Sequence, residues 1–479
     1  MKPRTYAYIG GALLAASILA IGAWEPLGQA ASSTNPVFAV DPSWPNPLPA
    51  PVGTDGAAHP WVTGEIAGSC TDQKDNVHTF NRGWEVGVTF NGVLQGNNGG
   101  AIVGQDAFPP SIPSPPVVVY DSVGNVVAGW GNPALIAPPA VDYGYAAYLP
   151  QSAHGCYVDY EGNIWLAGNG DGIVQKYNPM VAAVEGASAT YVLQIGTKGM
   201  CDTTTPPASG ANPFTSCGET TDANTSHTLL NEPPDMAVDP LPDPVTGKRG
   251  SIYIADGYGN HRVVVFNADG TYSRQWGQAC TIGGVRTNSQ NCPPGTFGAT
   301  GGGHPHCVVL GNDGNVYVCD RPNSRIQVFD RSCGAASTTT NPQPLCTPKR
   351  IINIGAAAGS PGSNAFENAA PADAAAILLA GTRACDMDFW PNIDYLATKS
   401  PTSQSTIVDV DLGNDNTWLI NKATGIVFGA LGICGLAPCP GHNAAHFAFG
   451  HMTNVDSKGN IYVSETVTGR RIQKFVHVK

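Results

Sequence analysis

The chain has 479 residues, with 36 acidic and 24 basic side chains and a formal net charge of −12. No basic cluster offsets that balance, which excludes a nucleic-acid surface built on phosphate neutralisation. With 58 Gly, 40 Pro and 13% charged residues, the composition favours many short strands and turns over helices, in one large β domain or several ordinary ones.

Lys2 and Arg4 precede an apolar run from Tyr6 to about Trp24, and small residues follow at Gly28, Ala30 and Ala31. This pattern predicts an export signal over 1–31 and a folded domain over 32–479. The protein is then secreted or periplasmic, with no membrane contact beyond the signal. An uncleaved anchor is the alternative, because the apolar run approaches the length of a span. In an exported chain, the thirteen cysteines point to disulfides. Four close pairs are expected to staple long loops: Cys201 with Cys217, Cys280 with Cys292, Cys333 with Cys346, and Cys434 with Cys439. Cys70, Cys156, Cys307, Cys319 and Cys385 lie in strand-like segments and leave at least one thiol free or paired between chains.

A repeated plan runs along the chain. GSCTDQKDNVHTFNRG (68–83) continues in VVVYDSVGNVVAGWG (117–131). HGCYVDYEGNIWLAGNGDGIVQKYN (154–178) repeats the plan, as do segments 234–277, HPHCVVLGNDGNVYVCDRPNSRIQVFD (304–330), 385–432 and HMTNVDSKGNIYVSETVTGRRIQKF (451–475). Each copy has a short apolar strand, a polar turn, an aromatic-rich strand and further alternating strands. Six copies of a four-stranded unit predict an all-β, six-bladed β-propeller with long disulfide-stapled loops. The last copy lacks a fourth strand, which Pro36–Pro42 is expected to supply from the N-terminal side.

Aligning the copies on Asp72, Asp159, Asp239, Gly311, Trp390 and Asp456 and stepping back five residues gives Ala67, His154, Pro234, His306, Cys385 and His451. Histidine thus recurs at one position in alternate blades, on the strand that lines the channel. Three imidazoles can converge there as a facial metal site with an open position. Nitrogen ligands in an exported protein favour zinc; copper, iron and manganese stay open. By parity His304 shares the face of His306 and is either a loop residue or a partner of the ligands.

The blade starts HGCYVDYEGN, HPHCVVLGNDGN and HMTNVDSKGN, together with ADGYGNHR, CDRPNSR and FNRG, resemble the NHL-type repeat in the form seen in peptidyl-alpha-hydroxyglycine alpha-amidating lyase. The resemblance covers roughly residues 64–479. It implies zinc on His154, His306 and His451, a catalytic tyrosine at Tyr258, and functional arginines at Arg82 and Arg321. Met452 departs from the family, which has Asp there as part of a calcium site; a thioether is a poor calcium ligand, so Ca2+ is not expected. The implied activity is cleavage of a carbinolamide N–C bond in a small-molecule or peptide substrate. Two other classes stay open: a metal-dependent hydrolase of an ester, lactone or amide, and a non-catalytic binding module. Met452 with Cys70, Cys156 and Cys307 also leaves room for a copper site rich in sulfur.

Overall fold

Turn chemistry spaces the strands. The Oδ1 atoms of Asp72, Asp159 and Asp456 each accept the backbone N–H groups two and four residues further on, at 2.8–3.0 Å. This aspartate-centred turn reverses the chain after the first strand of the blade. At the far end of the second strand, Asp256, Asp320 and Glu465 accept from Nε of Arg262, Arg325 and Arg471 at 2.7–2.8 Å. The two devices recur because each blade repeats the same reversal.

The computed structural model describes residues 35–52, 56–83, 89–90, 93–94, 112–131, 149–178, 191–202, 224–300, 303–335, 345–354, 384–391, 404–434, 437–438 and 440–478. The expected export signal lies outside them. Six four-stranded antiparallel sheets form the blades. Their inner strands are Ile66–Thr71, Ala153–Val158, Asp235–Val238, Cys307–Leu310, Asp386–Trp390 and Gly450–Val455, numbered here as blades 1 to 6. The outer strand of blade 6 is Phe38–Val40, paired antiparallel with Ile472–His477, which is the expected closure of the ring. Six apolar clusters fill the gaps, each joining residues of two adjacent blades. Among the described residues, no helix is long and apolar enough to cross a membrane.

The loop disulfides Cys280–Cys292 and Cys333–Cys346 form as expected. The 201–217 and 434–439 expectations fall partly outside the described residues, although Cys201 is disulfide-bonded. Two further bridges use strand cysteines: Cys70–Cys156 between blades 1 and 2, and Cys307–Cys319 within blade 4. That overturns the sulfur-rich copper site, because Cys70, Cys156 and Cys307 have no thiolate to offer. Cys385 is the free, buried cysteine.

One side chain breaks the pattern of the blade interiors. In the second strands, the residues paired with Ser69, Cys156, Met236, Val308 and Thr453 are Thr79, Leu166, Ile254, Val318 and Val463; the residue paired with Met387 is Asp409. Asp409 is fully buried, and neither carboxylate oxygen has a hydrogen-bond partner among the described residues. Burial, then Asp411 and Asp386, hold its carboxyl well above the usual range. The folded chain therefore keeps a proton that the unfolded chain releases, and stability is lost as pH rises above the ordinary carboxylate value. Asp409→Val should raise stability by about 1–3 kcal/mol at pH 7 and by less at pH 4. Urea titration at the two pH values checks both; an unchanged or lower stability would show that the carboxyl is satisfied in solution.

Candidate metal centre

The shared register brings the three histidines together. The ligand atoms of His154, His306 and His451 lie within 4.8 Å of one another, and the ring centroids are 4.5–5.3 Å apart. All three rings are buried. Each Nδ1 faces a backbone carbonyl oxygen of the next blade: His154 to Pro234 at 2.9 Å, His306 to Cys385 at 2.6 Å, and His451 to Ala67 at 2.7 Å. These acceptors are the residues that stand at the histidine position in the other three blades. A carbonyl only accepts, so Nδ1 carries the hydrogen and Nε2 keeps its lone pair for the channel.

The remaining blade contacts around the channel use other chemistry. Asp235 Oδ2 accepts the Val308 N–H at 2.9 Å, and Asp386 Oδ2 accepts the Thr453 N–H at 2.8 Å. The Cys70–Cys156 disulfide joins blades 1 and 2. With the three histidines, every pair of adjacent inner strands is tied.

Tyr258 projects over this ring from a turn between the second and third strands of blade 3. Its φ is +64°, uncommon for a bulky residue and a form of backbone strain that concentrates at functional sites. Gly257 beside it has no room for a side chain, since a Cβ would overlap the Pro305 carbonyl. The Tyr258 oxygen lies 3.2 Å from His154 Nε2 and 3.1 Å from His306 Nε2. Arg321 Nη1 donates to the same oxygen at 3.2 Å, and its guanidinium lies over the phenol ring at 5.1 Å. Burial raises the phenol above its ordinary value, and Arg321 opposes that shift without cancelling it.

Arg82 stands beside the ring on different terms. Its Nη1 donates to Glu65 at 2.6 Å, and its Nε donates to the carbonyl of Ala153, the residue before His154. Glu65 in turn accepts from Thr466 at 2.8 Å. The guanidinium is thus fixed by a buried carboxylate while its charge reaches the imidazoles. His304 does not join the three histidines; it stacks on His261 with centroids 4.5 Å apart.

Two neighbours were not singled out from sequence as site residues. Glu65 carried no motif. Cys385 is one of five strand-like cysteines and the blade 5 counterpart of the histidines. Its Sγ lies 3.7 Å from His306 Nδ1.

The donor set fits a transition-metal ion. Burial first, then the other two imidazoles, holds His154 well below its ordinary value. Burial and then Arg321 do the same for His306, and burial and then Arg82 push His451 down to about 3. The rings are neutral, as metal ligands must be.

The NHL repeat family model matches residues 303–329. Peptidyl-glycine alpha-amidating monooxygenase B of Xenopus laevis is 25% identical over 277 residues, covering 57% of this chain and 23% of that protein. The corresponding enzyme of Mus musculus is 22% identical over 272 residues, covering 56% and 21%. The chain spans less than a quarter of the length of these curated relatives. Among solved structures, virginiamycin B lyase from Staphylococcus aureus aligns over 87% of this chain and 86% of its own, at 11% identity and a TM-score of 0.37. A gluconolactonase from Xanthomonas campestris aligns over 93% and 100%, at 10% identity and a TM-score of 0.41. These two likenesses carry no argument about chemistry. The chain is a six-bladed β-propeller with one match to the NHL repeat and distant similarity to the amidating monooxygenases.

Gly303 gives a local test of the site's packing. Its φ is +81°, and a Cβ there would lie 2.5 Å from Arg321 Cζ and 2.6 Å from His306 Cδ2. Gly303→Ala should leave cooperative unfolding in place but weaken binding of a metal ion offered to the three histidines by about 10–100-fold, the range seen when groups that orient a ligand are disturbed. Competition against a chelator measures it. Parental affinity would show that His306 and Arg321 are free to move aside.

Proposed function

We propose that this chain is an exported, metal-dependent carbon–nitrogen lyase of the peptidyl-hydroxyglycine amidating type, with zinc as its ion. The observation that carries the proposal is the meeting of Tyr258 with two ligand nitrogens at 3.1 and 3.2 Å and with Arg321 at 3.2 Å. A phenol pressed against the open side of a three-histidine site and flanked by a guanidinium is placed to take a proton from a hydroxyl that binds there. The distant similarity to the amidating monooxygenases supports the choice of reaction. The disulfides support an oxidising compartment.

In this proposal His154, His306 and His451 hold the zinc. When bound, the ion supplies a Lewis acid that makes a substrate hydroxyl easier to deprotonate. The substrate is a carbinolamide, N–CH(OH)–COO⁻, presented by a peptide or a small acylated analogue. Tyr258 takes the hydroxyl proton; the C–O bond becomes a carbonyl as the C–N bond breaks, and the proton ends on the departing amide nitrogen. The products are an amide and glyoxylate, so atoms and electrons balance without an oxidant. Arg321 clamps the substrate carboxylate, for which a planar guanidinium is suited. Arg82, already engaged by Glu65, adds positive charge beside the ring and sets the position of the His154 backbone through Ala153. Burial keeps the phenol above its ordinary value, and Arg321 opposes that shift. Calcium has no part in the proposal. Met452, where the related family has Asp, offers only sulfur.

Tyr258→Phe separates the base from the metal site. It should keep parental zinc content and lower glyoxylate release from an N-acyl-α-hydroxyglycine by about 10²–10⁴-fold. His306→Ala should lose both zinc and turnover. Parental activity in Tyr258→Phe would remove the phenol from the mechanism. Ester or lactone hydrolysis without glyoxylate release would replace the lyase by a hydrolase, and inactivity of the zinc-loaded protein on all these substrates would favour a binding module.

A further inference from the structure

The ion pair between Glu65 and Arg82 is not one of the repeat's own devices. In blades 3, 4 and 6 the carboxylate at the end of the second strand holds an arginine five or six residues further on. In blade 1 the carboxylate stands before the first strand and the arginine after the second. Ile66 pairs with Asn81, so Glu65 and Arg82 meet across the open end of that hairpin, and the Arg82 N–H donates to the Glu65 carbonyl at 2.9 Å. Both side chains are buried. One oxygen of Glu65, Oε2, accepts from Arg82 Nη1 at 2.6 Å and from the Thr466 hydroxyl of blade 6 at 2.8 Å.

The pair is tied to two of the three histidines. Arg82 Nε donates to the carbonyl of Ala153, next to His154, at 3.0 Å. Ala67, two residues after Glu65, accepts from His451 Nδ1 at 2.7 Å. A buried ion pair is weak evidence for stability, because apolar side chains can fill such a place as well. Its location gives it another use. Neutral imidazoles bring no negative charge to a divalent ion, and a buried guanidinium beside them repels it. A carboxylate held against that guanidinium cancels most of the repulsion.

We propose that Glu65 supplies the counter-charge of the metal centre: its carboxylate balances Arg82, so that the three histidines accept a divalent ion beside a buried guanidinium. The proposal rests on the metal reading of the three histidines and not on the reaction assigned to them. Glu65 touches no ligand side chain; it acts through Arg82.

Zinc affinity, measured by competition against a chelator, tests this without any substrate. Glu65→Gln keeps an oxygen that accepts from Arg82 and Thr466 but removes the charge, and it should weaken zinc binding by about tenfold or more. Combining Glu65→Gln with Arg82→Gln removes both charges and should return affinity to within about threefold of the parent, the non-additivity expected of two groups in contact. Thr466→Val removes a hydrogen bond to the same oxygen without changing any charge and should stay within about threefold. Parental affinity in Glu65→Gln would overturn the proposal. So would a double variant as weak as the single one, or an equal loss in Thr466→Val, because the carboxylate would then act through shape alone. If Glu65→Gln does not fold, Arg82→Gln decides: parental or tighter binding is expected, and a loss of about tenfold would overturn the proposal. A parent that binds no zinc would remove the metal centre itself, and this proposal with it.

Discussion

The hydrogen bond from histidine Nδ1 to a carbonyl of the next blade underlies both the ring and its chemistry. It appears three times, in alternate blades, at 2.6–2.9 Å. A propeller must hold its inner strands side by side around a channel that side chains do not fill. Here a ligand side chain does that work and, in the same contact, has its tautomer chosen for it. The orientation of Nε2 is therefore a consequence of blade assembly. Replacing one of these histidines removes a ligand and a contact between blades together, which couples metal affinity to the geometry of the fold.

The joints that lack histidine use a carboxylate or a disulfide, and their electrostatic cost differs. Burial raises Asp235 and Asp386 above the usual carboxylate range, and Asp235 adds to the shift of Asp386. These two carboxyls lie one residue beyond Pro234 and Cys385. Arg82 and Arg321 place positive charge near the imidazoles. The three imidazoles are neutral, a setting in which a divalent ion adds charge without requiring the histidines to lose any.

The sequence made the ring legible because the repeat supplied a register. Once His154, His306 and His451 fell at one position, convergence followed from the symmetry of the fold, and so did the closing strand at Phe38–Val40. Tyr258 and Arg321 were reached through resemblance to a family; nothing in their local spacing requires that they meet across blades 3 and 4. Arg82 was found the same way, but its partner Glu65 was not, because that contact joins the two ends of a hairpin and leaves no periodic trace. Cys385 was visible only as one of five strand-like cysteines, of which the spacing leaves the unpaired one open, and its contact with His306 depends on how neighbouring blades approach. In the strand-like cysteines, parity left the pairing open, and the disulfides Cys70–Cys156 and Cys307–Cys319 follow from strand proximity that composition does not encode. Asp409 shows a different limit. The alternation in TIVDVD suggests a polar face towards solvent, but both faces of a blade are covered by its neighbours, so alternation does not report exposure there.

X-ray absorption at the zinc edge of the loaded protein tests the central claim most directly, because it counts and identifies the ligand atoms. The account predicts one ion per chain with three imidazole nitrogens at about 2.0–2.1 Å. A sulfur shell at about 2.3 Å, or an ion held by fewer than three imidazoles, would contradict it.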